Sequence, residues 1–211
     1  MTKKQENALF IYDEISKLFP NASCELNYQK DYELLIAIML SAQTTDQAVN
    51  KVTKILFEKY RSIEEIANAP VNEIEDAIRN LGLFRNKAKN MKEMTKIICD
   101  EYKNQIPSSQ DELEKLPGVG RKTANVYLAE WHHVPRIAVD THVFRVSMRL
   151  GLSKQNDNIK KVEENLMKLY PKEFWISLHH KLIHFGRYFC TARKPNCKTC
   201  PIIKKCKMPI L

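Results

Sequence analysis

The chain has 211 residues, 44% of them hydrophobic and 28% charged, enough apolar side chain for one compact body or two small domains and too much for intrinsic disorder. Its 34 Lys and Arg against 25 Asp and Glu leave a net charge of +9, which favours a polyanionic partner, since each neutralised phosphate releases counterions. No stretch approaches the roughly 20 apolar residues of a bilayer span, and Met1 to Phe19 has neither the apolar run of a signal peptide nor the arginines of a transit peptide, so the expectation is an intracellular protein with no membrane partner.

Strand-like alternation is nearly absent while helical spacing recurs, so the fold class is all-α. The first helix is expected over 5–18, with Leu9, Tyr12, Ile15 and Phe19 on one face. Others are expected over 31–40, 46–60, 72–80, 86–104, 110–115, 120–131, 141–150, 157–169 and 172–185. Between the second and third lies Ser41-Ala42-Gln43-Thr44-Thr45-Asp46. Asp46 is expected to cap the third helix, and Gln43 to be exposed at the bend, as an ordinary loop residue or as an amide able to pair with an orphaned base. Gly82 and Gly151 follow helical runs, where a left-handed cap is expected. Leu83 and Phe84 then form an apolar tip, suited to core packing or to wedging between bases. Cys99, after Ile97 and Ile98, reads as core.

Leu116-Pro117-Gly118-Val119-Gly120-Arg121-Lys122 joins two helical runs. Pro117 ends the first, the glycines permit a tight turn, and Val119 can plug into the core. The next helix offers free amides at its positive end, which together form an anion site. An ordinary helix–helix turn is the plainer reading of Gly-x-Gly alone. Lys122 lies about one residue inside that helix. Solvated lysine is almost wholly protonated at neutral pH, and amine catalysts are made by desolvation or by a positive neighbourhood. From this context a solvated surface lysine and a nucleophile both remain open. Asp140, before the run starting at Thr141, is an expected N-cap and equally a carboxylate able to stabilise a cationic sugar.

Four of six cysteines, Cys190, Cys197, Cys200 and Cys206, fall in the last 22 residues with the spacing C-x6-C-x2-C-x5-C. An intracellular setting disfavours disulfides. One C-x2-C pair and no local His leave a [4Fe–4S] cluster, zinc or unligated thiols as readings. Arg193 and Lys194, in the six-residue loop, are a solvated basic surface or a loop presented to phosphate.

LSAQTTD (40–46), LGLFRNKA (81–88), LPGVGRKTAN (116–125), IAVDTHVFR (137–145), HFGRYFC (184–190) and the cysteine tail, in this order, resemble the endonuclease III family of helix-hairpin-helix DNA glycosylases. The resemblance implies two all-α domains flanking a positive cleft, 23–133 carrying the hairpin and 1–22 with 134–211 carrying the cluster. It implies a bifunctional glycosylase and abasic-site lyase that removes oxidised pyrimidines from damaged double-stranded DNA, acting as a monomer in a bacterial-type, nucleoid-associated cytoplasm. Lys122 matches the family's Schiff-base lysine and Asp140 its essential aspartate. Gln43 and Leu83 match residues that fill and wedge the vacated stack, and Gly118, Val119, Gly120 and Arg121 the phosphate-gripping hairpin. The tail cysteines match ligands of a [4Fe–4S] cluster. A related branch of adenine glycosylases usually has Ser at the lysine position and an extra C-terminal domain; Lys122, and a chain ending five residues after Cys206, argue against it. Two further classes stay open on residues alone: a non-catalytic DNA-binding module and a zinc-stabilised helical interaction protein.

Overall fold

A computed structural model of the chain describes residues 1–209, and these contain helices and no strand. In chain order the α-helices are α1 (Lys3–Leu18), α2 (Asp31–Leu40), α3 (Asp46–Lys59), α4 (Ile63–Asn68), α5 (Val71–Ala77), α6 (Phe84–Tyr102), α7 (Gln110–Leu113), α8 (Arg121–Glu130), α9 (Thr141–Arg149), α10 (Ile159–Leu169) and α11 (Trp175–His184). They form two compact units, Glu25–His132 and Met1–Cys24 with His133–Leu211. Among the described residues, no helix is long and apolar enough to cross a membrane.

In the first unit α2 is the centre, because its residues from Tyr32 to Leu40 are all buried and it has no polar face. Glu33, itself buried, closes the start of that helix by accepting from the amides of Gln29 (2.7 Å) and Lys30 (3.2 Å). Helices α3, α6 and α8 pack on α2, while α4 and α5 pack on α6. Sequence periodicity misses α4, whose six residues are too few to display a period. Its signals are local: Ser62 accepts from the Glu65 amide, and Ile63, Ile66 and Ala67 are buried. Asp46 does not cap α3; Thr45 does, accepting from the Ala48 amide at 3.3 Å, so Asp46 is already the first helical residue. Both residue types cap well, and backbone geometry at Thr45 decides between them.

The second unit gathers α1, α9, α10 and α11 around Ile11, Ile15, Val143, Val146, Leu166 and Leu182. The buried stripe of α1 is Ala8, Ile11 and Ile15, rotated from the expected face; Leu9, Tyr12 and Phe19 flank it. Tyr12 stacks on Phe174 at 4.7 Å and shares a 2.6 Å hydrogen bond with Ser177. The chain over 172–174 is a 3-10 turn, and after α11 the helix widens to a π turn over Phe185–Phe189. Gly186 lies in that turn because a Cβ there would come within 2.9 Å of His142 Cβ on α9. Gly151 takes the expected left-handed conformation (φ 69°). Gly82 does not, and Leu83 beside it does (φ 59°).

Candidate active site

The turn between α7 and α8 is built from one left-handed glycine and two buried apolar side chains. Leu116 and Val119 are buried, and the Val119 amide donates to the Leu116 carbonyl at 3.0 Å. Gly118 has φ 78°, and a Cβ there would lie 2.9 Å from Met39 Sδ and 3.1 Å from Asn90 Cβ. Gly118→Ala therefore combines a left-handed backbone with a clash, and the expected result is a loss of about 1–3 kcal/mol in urea unfolding. An unchanged midpoint with unchanged slope would show that the turn relaxes around a methyl group. Gly120 is the N-cap of α8 and no side chain caps that helix, leaving its positive end open to an outside acceptor.

Lys122 is the second residue of α8 and is exposed, as is Arg121. The burial that would activate an amine is thus not supplied by the folded chain. Downstream, Trp131, His132 and His133 are exposed, Trp131 tilts against Tyr28 (6.3 Å) and Tyr127 meets His132 edge-on (5.6 Å).

Gln43 and Leu83 belong to this same unit, and both hold left-handed backbones (φ 54° and 59°). Each costs roughly 1 kcal/mol or more relative to glycine. Gln43 is exposed, and Leu83 is 59% exposed although it is apolar. Phe84, its partner in the expected tip, is half-buried and serves as the first residue of α6.

In the other unit Asp140 caps α9. Its Oδ1 accepts from the Val143 amide at 2.7 Å, with the carboxylate half-buried. The same helix presents two guanidinium groups that sequence reading did not single out. Arg145 donates to the carbonyls of Gly186 (2.6 Å) and Cys190 (3.3 Å), and burial, with Arg149 nearby, lowers its pKa. Arg149 is buried and donates to the carbonyls of Thr191 (2.7 Å) and Ala192 (2.9 Å) and to Cys190 Sγ (3.3 Å). Its own carbonyl accepts from the Lys207 amide (2.7 Å) and the Cys206 thiol (3.3 Å). One residue thereby holds both ends of the cysteine tail. The only hint in the sequence is a basic pair spaced four residues apart after the Asp140 cap.

Cys190, Cys197, Cys200 and Cys206 line one small pocket, together with Arg149, Phe185 and Phe189. None of the four is in a disulfide, and burial pushes the Cys200 and Cys206 thiols up in pKa. Among the described residues no three His, Cys, Asp or Glu side chains converge tightly enough to share a single metal ion. A four-iron cubane takes one thiolate at each corner and so needs its ligands farther apart than a single ion does. The all-thiol donor set is one that a four-iron cubane or a structural zinc ion can take. Arg193 and Lys194 are exposed on the intervening loop, with Lys198, Lys204, Lys205 and Lys207 exposed beyond. Cys99 is half-buried rather than core.

Residues 36–172 match the family described as HhH-GPD superfamily base excision DNA repair protein. Endonuclease III of Bacillus subtilis (strain 168) is 49% identical over 198 residues, covering 94% of this chain and 90% of the relative. A trapped endonuclease III–DNA covalent intermediate in an estranged-adenine complex superposes with a TM-score of 0.94 at 50% identity, over 98% of this chain and 97% of the other. A non-covalent endonuclease III–DNA complex also superposes at 0.94 and 50% identity, covering 98% and 96%. With helices, turn and cysteine tail matched over nearly its whole length, the chain belongs to the HhH-GPD superfamily of base excision DNA repair proteins and, within it, to the endonuclease III family.

Proposed function

We propose that Lys122 is the amine with which this chain, a bifunctional DNA glycosylase and abasic-site lyase of base excision repair, attacks the sugar of an oxidised pyrimidine in duplex DNA. The observation that carries the assignment is an exposed lysine at the second position of an uncapped helix, directly after the Gly118–Gly120 turn. Amides of Gly118, Gly120 and Arg121 grip a phosphate, with the helix dipole favouring the anion and the buried Val119 side chain anchoring the turn that presents them. The damaged nucleotide leaves the stack at a cost of a few kcal/mol, which damage itself reduces. Gln43 fills the gap and Leu83 wedges the stack.

Neutral Lys122 Nζ forms a bond to C1′ as the glycosidic electrons leave with the base. Asp140 stabilises the positive charge that develops on the sugar. The new C1′ ammonium loses a proton and the C1′–O4′ bond opens, O4′ taking up a proton, to leave an iminium that acidifies C2′; loss of the C2′ proton and expulsion of the 3′ phosphate cut the strand, and water then hydrolyses the imine to release Lys122. Cys190, Cys197, Cys200 and Cys206 would hold a [4Fe–4S] cluster, which would fix the tail so that Arg193 and Lys194 meet phosphate with little ordering cost. The site of action is chromosomal DNA in the cytoplasm.

The test is borohydride reduction during turnover on thymine-glycol duplex. Covalent protein–DNA adduct and strand cleavage are expected from purified protein carrying about four irons per chain. Binding without cleavage or adduct would leave a non-catalytic DNA-binding module, and a colourless zinc protein would refute the cluster.

A further inference from the structure

Lys87 is 6% exposed, an unusual place for an ammonium group. Burial pulls its pKa below the ordinary lysine value, so the cation is held there at a cost. Its contacts lead to both strained residues described above. Lys87 Nζ donates to Thr44 Oγ1 at 2.7 Å, and the Thr44 hydroxyl donates in turn to the Ala42 carbonyl at 3.3 Å. Those two residues flank Gln43, whose left-handed turn is therefore spanned by a hydrogen-bonded relay that starts on α6. At its other end Lys87 donates its backbone amide to the Leu83 carbonyl at 3.0 Å, closing the first turn of α6 directly behind Leu83. Segments 43 positions apart are joined at one side chain.

We infer that Lys87 is a positioning residue for base eversion, bracing the Gln43 turn against the Leu83 turn so that filler and wedge enter the duplex at a set spacing. The inference rests on the proposed roles of Gln43 and Leu83. Two left-handed non-glycine residues at exposed tips do not hold their conformations unless neighbours over-determine them. A charged donor to a neutral hydroxyl is among the stronger bonds available for this, and it strengthens with burial. Thr44 is required as a relay rather than as a cap, since capping of α3 falls to Thr45.

The experiment compares two reactions in the same duplex under single turnover: excision of thymine glycol, and cleavage of a preformed abasic site. An abasic site has no base to unpair or unstack, so less is asked of the inserted side chains. Lys87→Met keeps an unbranched, apolar-tolerant side chain in a buried position, and Thr44→Val removes the hydroxyl while keeping its shape. Excision is expected to fall about tenfold in either variant, against no more than about twofold for abasic-site cleavage, with the double variant no worse than the single ones. Equal losses in the two reactions, unchanged excision, or additive effects in the double variant would each overturn the bracing role. Thr44→Val, at a half-buried position, keeps the test decisive should Lys87→Met fold poorly. Wild-type protein inactive on both substrates overturns the functional reading along with this one, whereas an active wild type with equal losses overturns this one alone.

Discussion

Lys122→Ala is expected to abolish the borohydride-trapped adduct and to slow cleavage of thymine-glycol duplex by on the order of 10³-fold or more, because no other positioned amine replaces the covalent step. Affinity for abasic duplex should fall by less than about tenfold, the contribution of one exposed cation beside a phosphate that the hairpin amides also grip. The exposure of Lys122 makes the substitution structurally mild, so urea unfolding should match wild type. An adduct that persists in the variant assigns the nucleophile elsewhere. Loss of binding in parallel with loss of cleavage would make Lys122 a phosphate contact instead.

For Asp140 the geometry allows structural and chemical roles to be separated. The carboxylate caps α9 through the Val143 amide, and asparagine presents an equivalent acceptor in the same position. Asp140→Asn should therefore leave unfolding nearly unchanged and slow single-turnover base excision by roughly a hundredfold, as expected for removal of a charge aimed at a developing cation. Asp140→Ala should add a loss of about 1 kcal/mol in stability from the vacant cap. Normal excision by the asparagine variant, with instability in the alanine variant, would reduce Asp140 to a helix cap.

Much of the candidate site was legible because the chemistry proposed for it depends on residue type at short spacing. Gly-x-Gly followed within two residues by lysine, aspartate ahead of a helical run, and four cysteines in a short tail each announce themselves locally. Their joint order is what singles out one family. Less visible were the parts that depend on partners remote in the chain. Lys87 reads as one more surface lysine on an amphipathic helix until α6 packs near the Gln43 turn and buries it. Arg149 reads as a basic helix end until the tail returns to its guanidinium and its carbonyl. The left-handed conformation could be expected near Gly82, but glycine's permissiveness argued for the wrong residue. Leu83 adopts it instead, and its apolar side chain remains outside.

Composition and spacing alone determined an all-helical chain with a basic character, a glycine turn leading into Lys122, Asp140 at a helix start, and a thiol-rich tail, because helical periodicity, caps and ligand spacing are properties of neighbouring residues. Tertiary structure alone decided that Lys122 stands exposed and that buried Lys87 and Arg149 tie distant segments together. Those outcomes follow from which surfaces exclude water from one another once packed, a property of pairs of segments that no single stretch of sequence carries.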